Sequence, residues 1–504
     1  MSETPLHPDR ATFLELARPG RIVPVWREFA FDADTPVSAY ARLREGPFGF
    51  LLESVEGGER WARYSFVGAA PREAWRLDGD EIRRWAPATG WGPAERTRDP
   101  FADFSRWIGR YEPAEVAGLP RFWGGAVGYF GYDTVRWLER LPHAPAADVE
   151  IPDACFLATD RMLIVDNLHS RAMAVRAVPI PAAAGEPASP GRLYDEAADS
   201  LREWTDRLRR PHGLAPLALE RSEELSVRGN RSREEFEEAV RRIRAYIAAG
   251  DAYQVVVSQR ADAPLRCDPL DVYRALRITN PSPYLFFIEL DGARLIGSSP
   301  ETLVRVEEGE VVVRPIAGTR PRGADEARDR ALEGELLADD KERAEHLMLV
   351  DLGRNDVGRV ARPGSVRVPR FMHVERYSHV MHLVSEVSGH LRDGVDAIDA
   401  FRACFPAGTL TGAPKVRAME LIDELEPTRR GPYGGAAGYV GYGAGSLDMA
   451  IVIRTILTVG DRAFAQAGAG VVYDSDPARE WQETRDKAQV LLQALALTRP
   501  AARE

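Results

Sequence analysis

Cysteine is scarce in this chain, and its few copies lie far apart. Cys155, Cys267 and Cys404 are the only three among 504 residues. Their positions match neither the close spacing of zinc ligands nor the framework of a disulfide-rich secreted domain. The sequence therefore predicts a protein of the reducing cytoplasm.

Long apolar runs and a large surplus of one charge are also missing. No stretch is apolar over the length that spans a bilayer, and the N-terminus has no basic segment followed by an apolar one. The 66 basic and 77 acidic residues give a net charge of −11, which does not attract nucleic acid or anionic membranes. Neither partner is expected, and an anionic substrate would need arginine, lysine or a metal ion placed at its site.

Length and local patterns divide the chain into three predicted segments. A chain of 504 residues is long enough for two or three domains or for one large fused sandwich. Residues 1–20 are predicted as a tail and residues 21–225 as a strand-rich N-terminal half. Residues 226–500 are predicted as a C-terminal half in which helices and strands alternate.

Three local signals make specific structural predictions. Ser232 and Glu235 form the pattern of a capping box and predict a helix that ends at Ala249. The apolar run at residues 451–458 predicts one strand. Residues 124–132 and 434–442 are identical at seven of nine positions. This repeat indicates two halves of related architecture, or a chance match between glycine-rich strands.

An acidic helix is predicted at residues 340–356, ending at Gly353 and Asn355. Glu342, Glu345 and His346 fall on one face of it, and the apolar run that follows predicts a buried end. Carboxylates that point inward are costly unless they are paired, and a hard divalent cation would pair them. A solvated acidic face opposite a core face is the alternative interpretation.

A second acidic helix is predicted near the C-terminus. Glu480, Glu483 and Lys487 share one of its faces. A glycine-rich turn is predicted just before it, at residues 467–472, where backbone N–H groups could approach a carboxylate. Together the two helices and the turn predict a metal-assisted site for a small anionic substrate.

Six motifs in order resemble those of the chorismate-utilising enzymes, and among these the large subunits (component I) of anthranilate synthases. They are SPET at 299–302, PIAGTRPRG at 315–323, DKERAEHLMLVDLGRNDVGRV at 340–360, GTLTGAPKVRAME at 408–420, IVIRT at 451–455 and QAGAGVV at 466–472. The resemblance covers residues 13–497. It implies an α+β sandwich of two large, mostly antiparallel sheets with flanking helices, and a Mg²⁺-dependent site for chorismate in the C-terminal half.

The resemblance also implies roles for particular residues. Glu345 and Glu483 match the metal ligands, and Glu301 matches the general acid beside the C4 hydroxyl. The further catalytic positions are His382, Thr409 and Glu342. The matching substrate positions are Gly318, Thr319, Tyr433, Arg454, Gly468, Ala469, Gly470, Glu480 and Lys487. A solvated salt-bridge face is the alternative interpretation of the four helix carboxylates, and a core position is the alternative for His382.

Two positions distinguish reactions within the resembling family. Relatives that add water at C2 carry a lysine where this chain has Gln254, and relatives that attack C2 covalently carry a lysine where it has Ala317. Without either lysine, ammonia is the expected nucleophile, and pyruvate elimination would then give anthranilate. A relative that stops at aminodeoxyisochorismate and a non-catalytic homologue that only binds chorismate or tryptophan are the alternatives.

Ammonia and feedback control imply two further partners. None of the three cysteines lies in a G-x-C-x-G nucleophile turn, so a separate glutamine amidotransferase subunit is expected, in an assembly of two large and two small subunits. The resemblance also implies inhibition by tryptophan. The matching regulatory positions are Glu53, Ser54, Pro283, Tyr284, Leu285, Ala437 and Tyr439. A plain strand that ends at a turn serine is the alternative interpretation of the segment around Ser54.

Overall fold

Helices and strands fill most of the chain that the computed structural model describes, which is residues 4–54, 63–182, 189–217, 225–377 and 380–497. The helices of these ranges are α1 Arg10–Leu16, α2 Pro36–Leu43, α3 Pro100–Ile108, α4 Pro190–Leu208, α5 Arg233–Ala248, α6 Pro269–Thr279, α7 Glu326–Ala338, α8 Asp340–Gly358, α9 Ala397–Cys404, α10 Gly408–Thr411, α11 Lys415–Leu425 and α12 Pro477–Ala496. None of these described helices is both long and apolar enough to cross a membrane.

The strands are short and follow one another closely along the chain. They are β1 Arg21–Ala30, β2 Phe48–Glu53, β3 Tyr64–Ala69, β4 Glu73–Asp78, β5 Glu81–Ala86, β6 Gly90–Trp91, β7 Glu95–Arg96, β8 Glu112–Pro113, β9 Gly125–Phe130, β10 Ala154–Thr159, β11 Arg161–Asp166, β12 Arg171–Pro179, β13 Arg228–Gly229, β14 Gln254–Pro264, β15 Tyr284–Leu290, β16 Ala293–Ser299, β17 Thr302–Glu307, β18 Glu310–Val313, β19 Ile316–Pro321, β20 Arg367–Arg376, β21 Val380–His390, β22 Gly412–Ala413, β23 Ala436–Gly441, β24 Leu447–Ile451, β25 Thr455–Val459 and β26 Arg462–Val471.

These strands form two sheets of 13 strands each. The first sheet has the order β13-β14-β26-β25-β16-β15-β2-β3-β11-β12-β1-β8, with β22 beside β14. The second has the order β19-β21-β18-β17-β24-β23-β9-β10-β4-β5-β6, with β20 beside β21 and β7 beside β5. Among the described pairs only β1 and β8 run parallel. The expected α+β sandwich of two large, mostly antiparallel sheets is confirmed.

Each sheet has one seam where an early strand meets a late one. In the first sheet β2 pairs with β15, and in the second β9 pairs with β23. The strands β9 and β23 are the two repeated stretches of the sequence, and Gly128 lies opposite Gly438. The repeat therefore joins the two halves of the second sheet. The boundary at residue 225 stays a prediction.

The core lies in three layers. One cluster of buried side chains, including Phe50, Tyr129 and Phe464, lies between the two sheets. A second covers the outer face of the first sheet and includes Trp204 from α4, and a third covers the second sheet and includes Phe104 from α3. Helices thus shield both outer faces from water, which leaves the region between the sheets for buried sites.

The helix at Ser232 is confirmed, and four other local predictions are wrong. The Ser232 Oγ accepts from the N–H of Glu235, and the Glu235 carboxylate accepts from the N–H of Ser232. Helix α8 does not end at Gly353 or Asn355 but continues to Gly358, because an isolated glycine is tolerated inside a helix whose face packs on strands. Its apolar run is also not wholly buried, since Leu347 is 46% exposed.

The other two errors concern strands. Residues 451–458 do not form one strand, because Ile451 ends β24 of the second sheet and Thr455 begins β25 of the first. The predicted glycine-rich turn at residues 467–472 is instead the end of strand β26, since its residues up to Val471 pair with β14. Both differences lie at the candidate site, where alternation and glycine content are poor guides to structure.

Candidate functional site

Two crossings of the chain between the sheets lie side by side. Glu301 lies where the chain leaves β16 of the first sheet for β17 of the second, and Arg454 lies where it returns from β24 to β25. The N–H of Ile451 donates to the Glu301 carbonyl, and the N–H of Ser298 donates to the Arg454 carbonyl, both at 3.0 Å. The paired crossings thus bring the backbones of an acidic and a basic residue together from distant parts of the sequence.

Arg454 has a backbone conformation that side chains other than glycine rarely adopt. Its φ of +49° lies in the left-handed region, which costs an ordinary residue about 1–3 kcal/mol and recurs at functional sites. This kink ends the strand that the apolar run predicted. It also places the half-buried guanidinium where its Nη1 donates to the Lys487 carbonyl at 3.2 Å.

The Glu301 carboxyl is buried and carries a proton at neutral pH. The residue is 8% exposed, and burial raises the pKa of the carboxyl to about 8 against the opposing effects of a hydrogen bond from Thr409 and the charge of Lys487. The Thr409 hydroxyl, which α10 presents, donates to Glu301 Oε1 at 2.9 Å. A protonated carboxyl at this place is an acid available to a bound substrate.

Lys487 connects the C-terminal helix with the glycine strand. Its Nζ donates to the Gly468 carbonyl at 3.0 Å and lies 2.6 Å from Glu483 Oε1. Because the Gly468 carbonyl accepts from Lys487, the backbone of Gly468 faces away from β14. Along an antiparallel strand, successive residues direct their backbone N–H and C=O groups to alternate sides, so those of Gly470 also point away from β14.

Two glycines of β26 make room for the side chains of the site. A Cβ on Gly468 would lie 2.7 Å from the Tyr433 hydroxyl, and a Cβ on Gly470 would lie 2.9 Å from Gln254 Nε2. Both distances are too short for a methyl group, so only glycine allows these side chains to approach. Ala469 faces the other side of the strand and is fully buried.

The predicted metal ligands lie on the two acidic helices that flank this strand. Glu345 of α8 accepts a hydrogen bond from Gln254 Nε2 at 3.0 Å. Glu483 of α12 is paired with Lys487. Burial and, to a smaller extent, the charge of Glu483 raise the pKa of Glu480. The carboxylates of Glu480 and Glu483 are therefore neighbours. In the described ranges, no three histidine, cysteine, aspartate or glutamate side chains form a metal cluster by themselves.

His382 lies on strand β21 with a defined proton position. Its Nδ1 is 3.0 Å from the Gly318 carbonyl and 3.1 Å from the Thr319 hydroxyl. A carbonyl only accepts, so Nδ1 carries the proton and Nε2 presents its lone pair. Burial lowers the pKa of His382, and the charge of Arg454 lowers it further. The imidazole is therefore neutral at pH 7.

Glu342 has a partner that the sequence analysis did not include. Its Oε1 accepts from Arg320 at 3.2 Å, and Arg320 also pairs with Asp339 at 2.7 Å. Arg320 directly follows Gly318 and Thr319 in the motif at residues 315–323. That position was the signal that could have indicated it as a site residue. The other missed contact, between Gln254 and Glu345, joins residues 91 positions apart and has no local signal.

A pocket between the sheets is lined by all seven predicted regulatory positions. It has a volume of about 340 Å³, within the range of small-molecule sites. Its apolar wall includes Leu285 and Tyr439, and Tyr439 stacks on Phe122 with ring centroids 4.0 Å apart. The sequence analysis missed its polar wall, which consists of Arg63, Arg121, Arg305, Glu307 and Asp448.

Glu53 contributes less to this pocket than the sequence predicted. Its side chain is 2% exposed and pairs with Arg277 at 3.0 Å. It also accepts from the Tyr273 hydroxyl at 2.5 Å. The Glu53 carboxylate is thus already engaged in the core, while Ser54 and Tyr284 lie at the pocket itself.

Comparison with known proteins decides the family. The family described as chorismate binding enzyme matches residues 58–493. The chain belongs to this family, and the resemblance that the six motifs carry is confirmed. Anthranilate synthase component 1 of Pseudomonas putida is 47% identical over 496 residues, 97% of this chain and 98% of that protein. The protein of the same name from Aquifex aeolicus is 45% identical, covering 96% of each chain.

Solved structures of the family have the same fold. Anthranilate synthase component I from Streptococcus pneumoniae superposes with a TM-score of 0.76 at 35% identity, over 92% of this chain and 98% of that one. The menaquinone-specific isochorismate synthase of Escherichia coli superposes with a TM-score of 0.69 at 20% identity, over 96% and 99% of the two chains. At that lower identity the second likeness concerns the fold alone.

Proposed function

We propose that this chain is the large subunit of an anthranilate synthase. It would convert chorismate and ammonia into anthranilate, pyruvate and water, for tryptophan biosynthesis in the cytoplasm. The observation that carries the proposal is the protonated Glu301 at the paired crossings, near the positive charge of Lys487 and on the crossing next to that of Arg454. The near-full-length similarity to anthranilate synthase component 1 proteins supports it.

The first step would add ammonia at C2 while the C4 hydroxyl leaves. Glu301 would give its proton to that hydroxyl, which departs as water, and Thr409 would hold the carboxyl in place. Arg454 suits the enolpyruvyl carboxylate because a guanidinium binds carboxylates bidentately. Lys487 and the outward-facing N–H groups of Gly468 and Gly470 would add to this anion site.

The second step would remove pyruvate. His382 Nε2 would take the proton from C2 while the bond between C3 and the ether oxygen breaks, which leaves the aromatic ring. The neutral tautomer held by Gly318 and Thr319 is the form that such a base requires. This geometry favours release of anthranilate over arrest at aminodeoxyisochorismate.

Mg²⁺ fits the donor set of the two acidic helices. Glu345 and Glu483 would bind it, because this ion is often held by one or two carboxylates together with water and substrate oxygens. When bound, the ion would polarise the ring carboxylate of chorismate as a Lewis acid.

Ammonia as the nucleophile is supported by the environment of Gln254. The Gln254 amide donates to Glu345 and has no basic group with which to activate water. Ala317 has no side chain that could attack C2. We infer that ammonia comes from a separate glutamine amidotransferase subunit, in an assembly of two large and two small subunits.

With ammonium salts at raised pH, the purified chain is expected to make anthranilate, because free ammonia is then available to attack C2. With glutamine alone it is expected to make none, and a cognate amidotransferase should restore the use of glutamine. Anthranilate fluorescence and mass spectrometry of the product check both statements. Glutamine-dependent turnover by the pure chain, or release of aminodeoxyisochorismate, would refute the respective part of the proposal.

We further propose that the 340 Å³ pocket binds tryptophan and that its occupancy lowers chorismate affinity. The indole ring would lie against the apolar wall of Leu285 and Tyr439. Ser54 and the polar wall would hold the amino and carboxylate groups. The two effects are reciprocal, so chorismate should weaken tryptophan binding by the same factor.

Ser54→Phe is expected to remove tryptophan inhibition and leave catalysis near normal, because the larger side chain fills the pocket. Inhibition curves and calorimetric titration with tryptophan, compared with wild type, measure the effect. Ser54→Ala is the matched control, since it leaves the space open. A Phe variant inhibited at the wild-type concentration would place the regulatory site elsewhere.

A further inference from the structure

A direct hydrogen-bonded link connects the regulatory pocket with Glu301. Tyr284 lines the pocket, and its hydroxyl donates to Asp448 Oδ1 at 2.8 Å. The Tyr284 hydroxyl oxygen also lies 2.8 Å from the Thr302 hydroxyl oxygen. Because the Tyr284 proton is given to a carboxylate, the Thr302 hydroxyl is the donor in this second bond. Thr302 is the residue that directly follows Glu301.

The link spans both sheets at the paired crossings. Tyr284 begins β15 of the first sheet and pairs with Ser299, two residues before Glu301. Thr302 begins β17 of the second sheet and pairs with Ala450. The Tyr284 hydroxyl therefore holds the two sheets together where Glu301 passes between them.

Asp448 is held rigidly at the pocket, and Thr302 is buried next to Glu301. Asp448 is 5% exposed, and its Oδ2 accepts from Arg305 at 2.8 Å and from Arg121 at 3.3 Å. Two guanidinium groups thus hold this carboxylate in place. Thr302 is also 5% exposed. The Tyr284 ring is half-buried and lies in the pocket wall beside Asp448, and of the two only Tyr284 also bonds to Thr302.

We propose that Thr302 is a positioning residue that transmits occupancy of this pocket to Glu301 through Tyr284. The inference rests on the proposed regulation. A ligand against the Tyr284 ring shifts the hydroxyl and breaks or strains its bond to Thr302, which moves the crossing that carries Glu301. A state in which Glu301 is displaced binds chorismate less well, so tryptophan and chorismate favour different states.

The test compares Thr302→Val with Thr302→Ser. Valine keeps the shape and removes the hydroxyl, whereas serine retains it. Calorimetric titration with tryptophan is carried out with and without saturating chorismate, in the absence of ammonia and glutamine so that no turnover occurs. In wild type, chorismate should raise the tryptophan Kd about 5- to 150-fold, the usual range of such coupling.

In Thr302→Val the tryptophan Kd without chorismate should stay within about threefold of wild type, while its dependence on chorismate disappears. Thr302→Ser should behave as wild type. Tyr284→Phe, which keeps the ring and loses both hydrogen bonds, should also lose the dependence on chorismate. If Thr302 had only a structural role, its replacement would change stability or tryptophan affinity. It would not remove the effect of chorismate on tryptophan binding while leaving that binding intact.

Two results would overturn the inference, and they differ from failure of the proposed function. If Thr302→Val retains the wild-type dependence on chorismate, the link does not carry the coupling. If Thr302→Ser loses the dependence as fully as the valine variant, the hydroxyl is not the responsible group. A wild-type chain that binds chorismate but not tryptophan would instead reject the proposed regulation.

Discussion

Glu301→Gln is expected to lower the kcat for anthranilate formation by about 10²–10⁴-fold, the usual contribution of a general acid. Glutamine preserves the size of the side chain and its bond from Thr409 but has no acidic proton for the C4 hydroxyl. Steady-state kinetics with ammonium salts measures the loss. Glu310→Gln, an exposed change on β18, is the matched control. Activity within a few-fold of wild type would contradict the role of Glu301.

The same group sets the pH dependence. The Glu301 pKa of about 8 means that the acid form is present below that pH and is lost as pH rises through it. Rates divided by the concentration of free ammonia should therefore fall on the alkaline side in wild type. A profile that stays flat above pH 8 after this correction would assign the proton donor to another group.

Glu345→Gln or Glu483→Gln should abolish detectable turnover at limiting Mg²⁺, with a loss greater than the roughly 10–100-fold typical of removing an outer partner of a metal ligand. Each change removes a charged oxygen that a hard cation prefers and leaves the shape of the side chain intact. Kinetics across a Mg²⁺ series and a direct titration of Mg²⁺ binding measure the effect.

The control for this pair lies on the same helix as Glu345. Asp351→Asn removes a carboxylate that is exposed on α8 and pairs only locally with Arg354, so it should leave Mg²⁺ affinity unchanged. Circular dichroism establishes that the variants remain folded. Wild-type activity of either Gln variant at limiting Mg²⁺ would exclude that residue from the metal site.

Much of the fold was predictable because the signals lie within short stretches or ordered motifs. The Ser232 capping box is a local pattern, and it marked the start of α5 correctly. The break at Arg454 was not predictable, since apolar residues lie on both sides of it, at 451–453 and 456–457. Apolar periodicity reports burial, and it does not show where a chain passes from one sheet to the other.

The candidate site was also predictable only in part. Motif order identified Glu301, Arg454 and Lys487, but no local pattern indicates that two crossings bring the first two side by side. Gln254 was considered only for its chemistry, and its contact with Glu345 appears only once β14 and α8 are packed together. Long-range pairs of this kind depend on the register of whole sheets, which single-sequence reasoning does not determine.

The seams of the two sheets have a consequence for synthesis on the ribosome. Strand β9 ends at Phe130 and its seam partner β23 begins at Ala436. At 5–20 residues per second, translation of the intervening chain takes roughly 15–60 s. Throughout that interval, β9 presents an unpaired strand edge of the kind that invites aggregation. The strand has only six residues, and so short an edge limits the pairing that another chain could make with it.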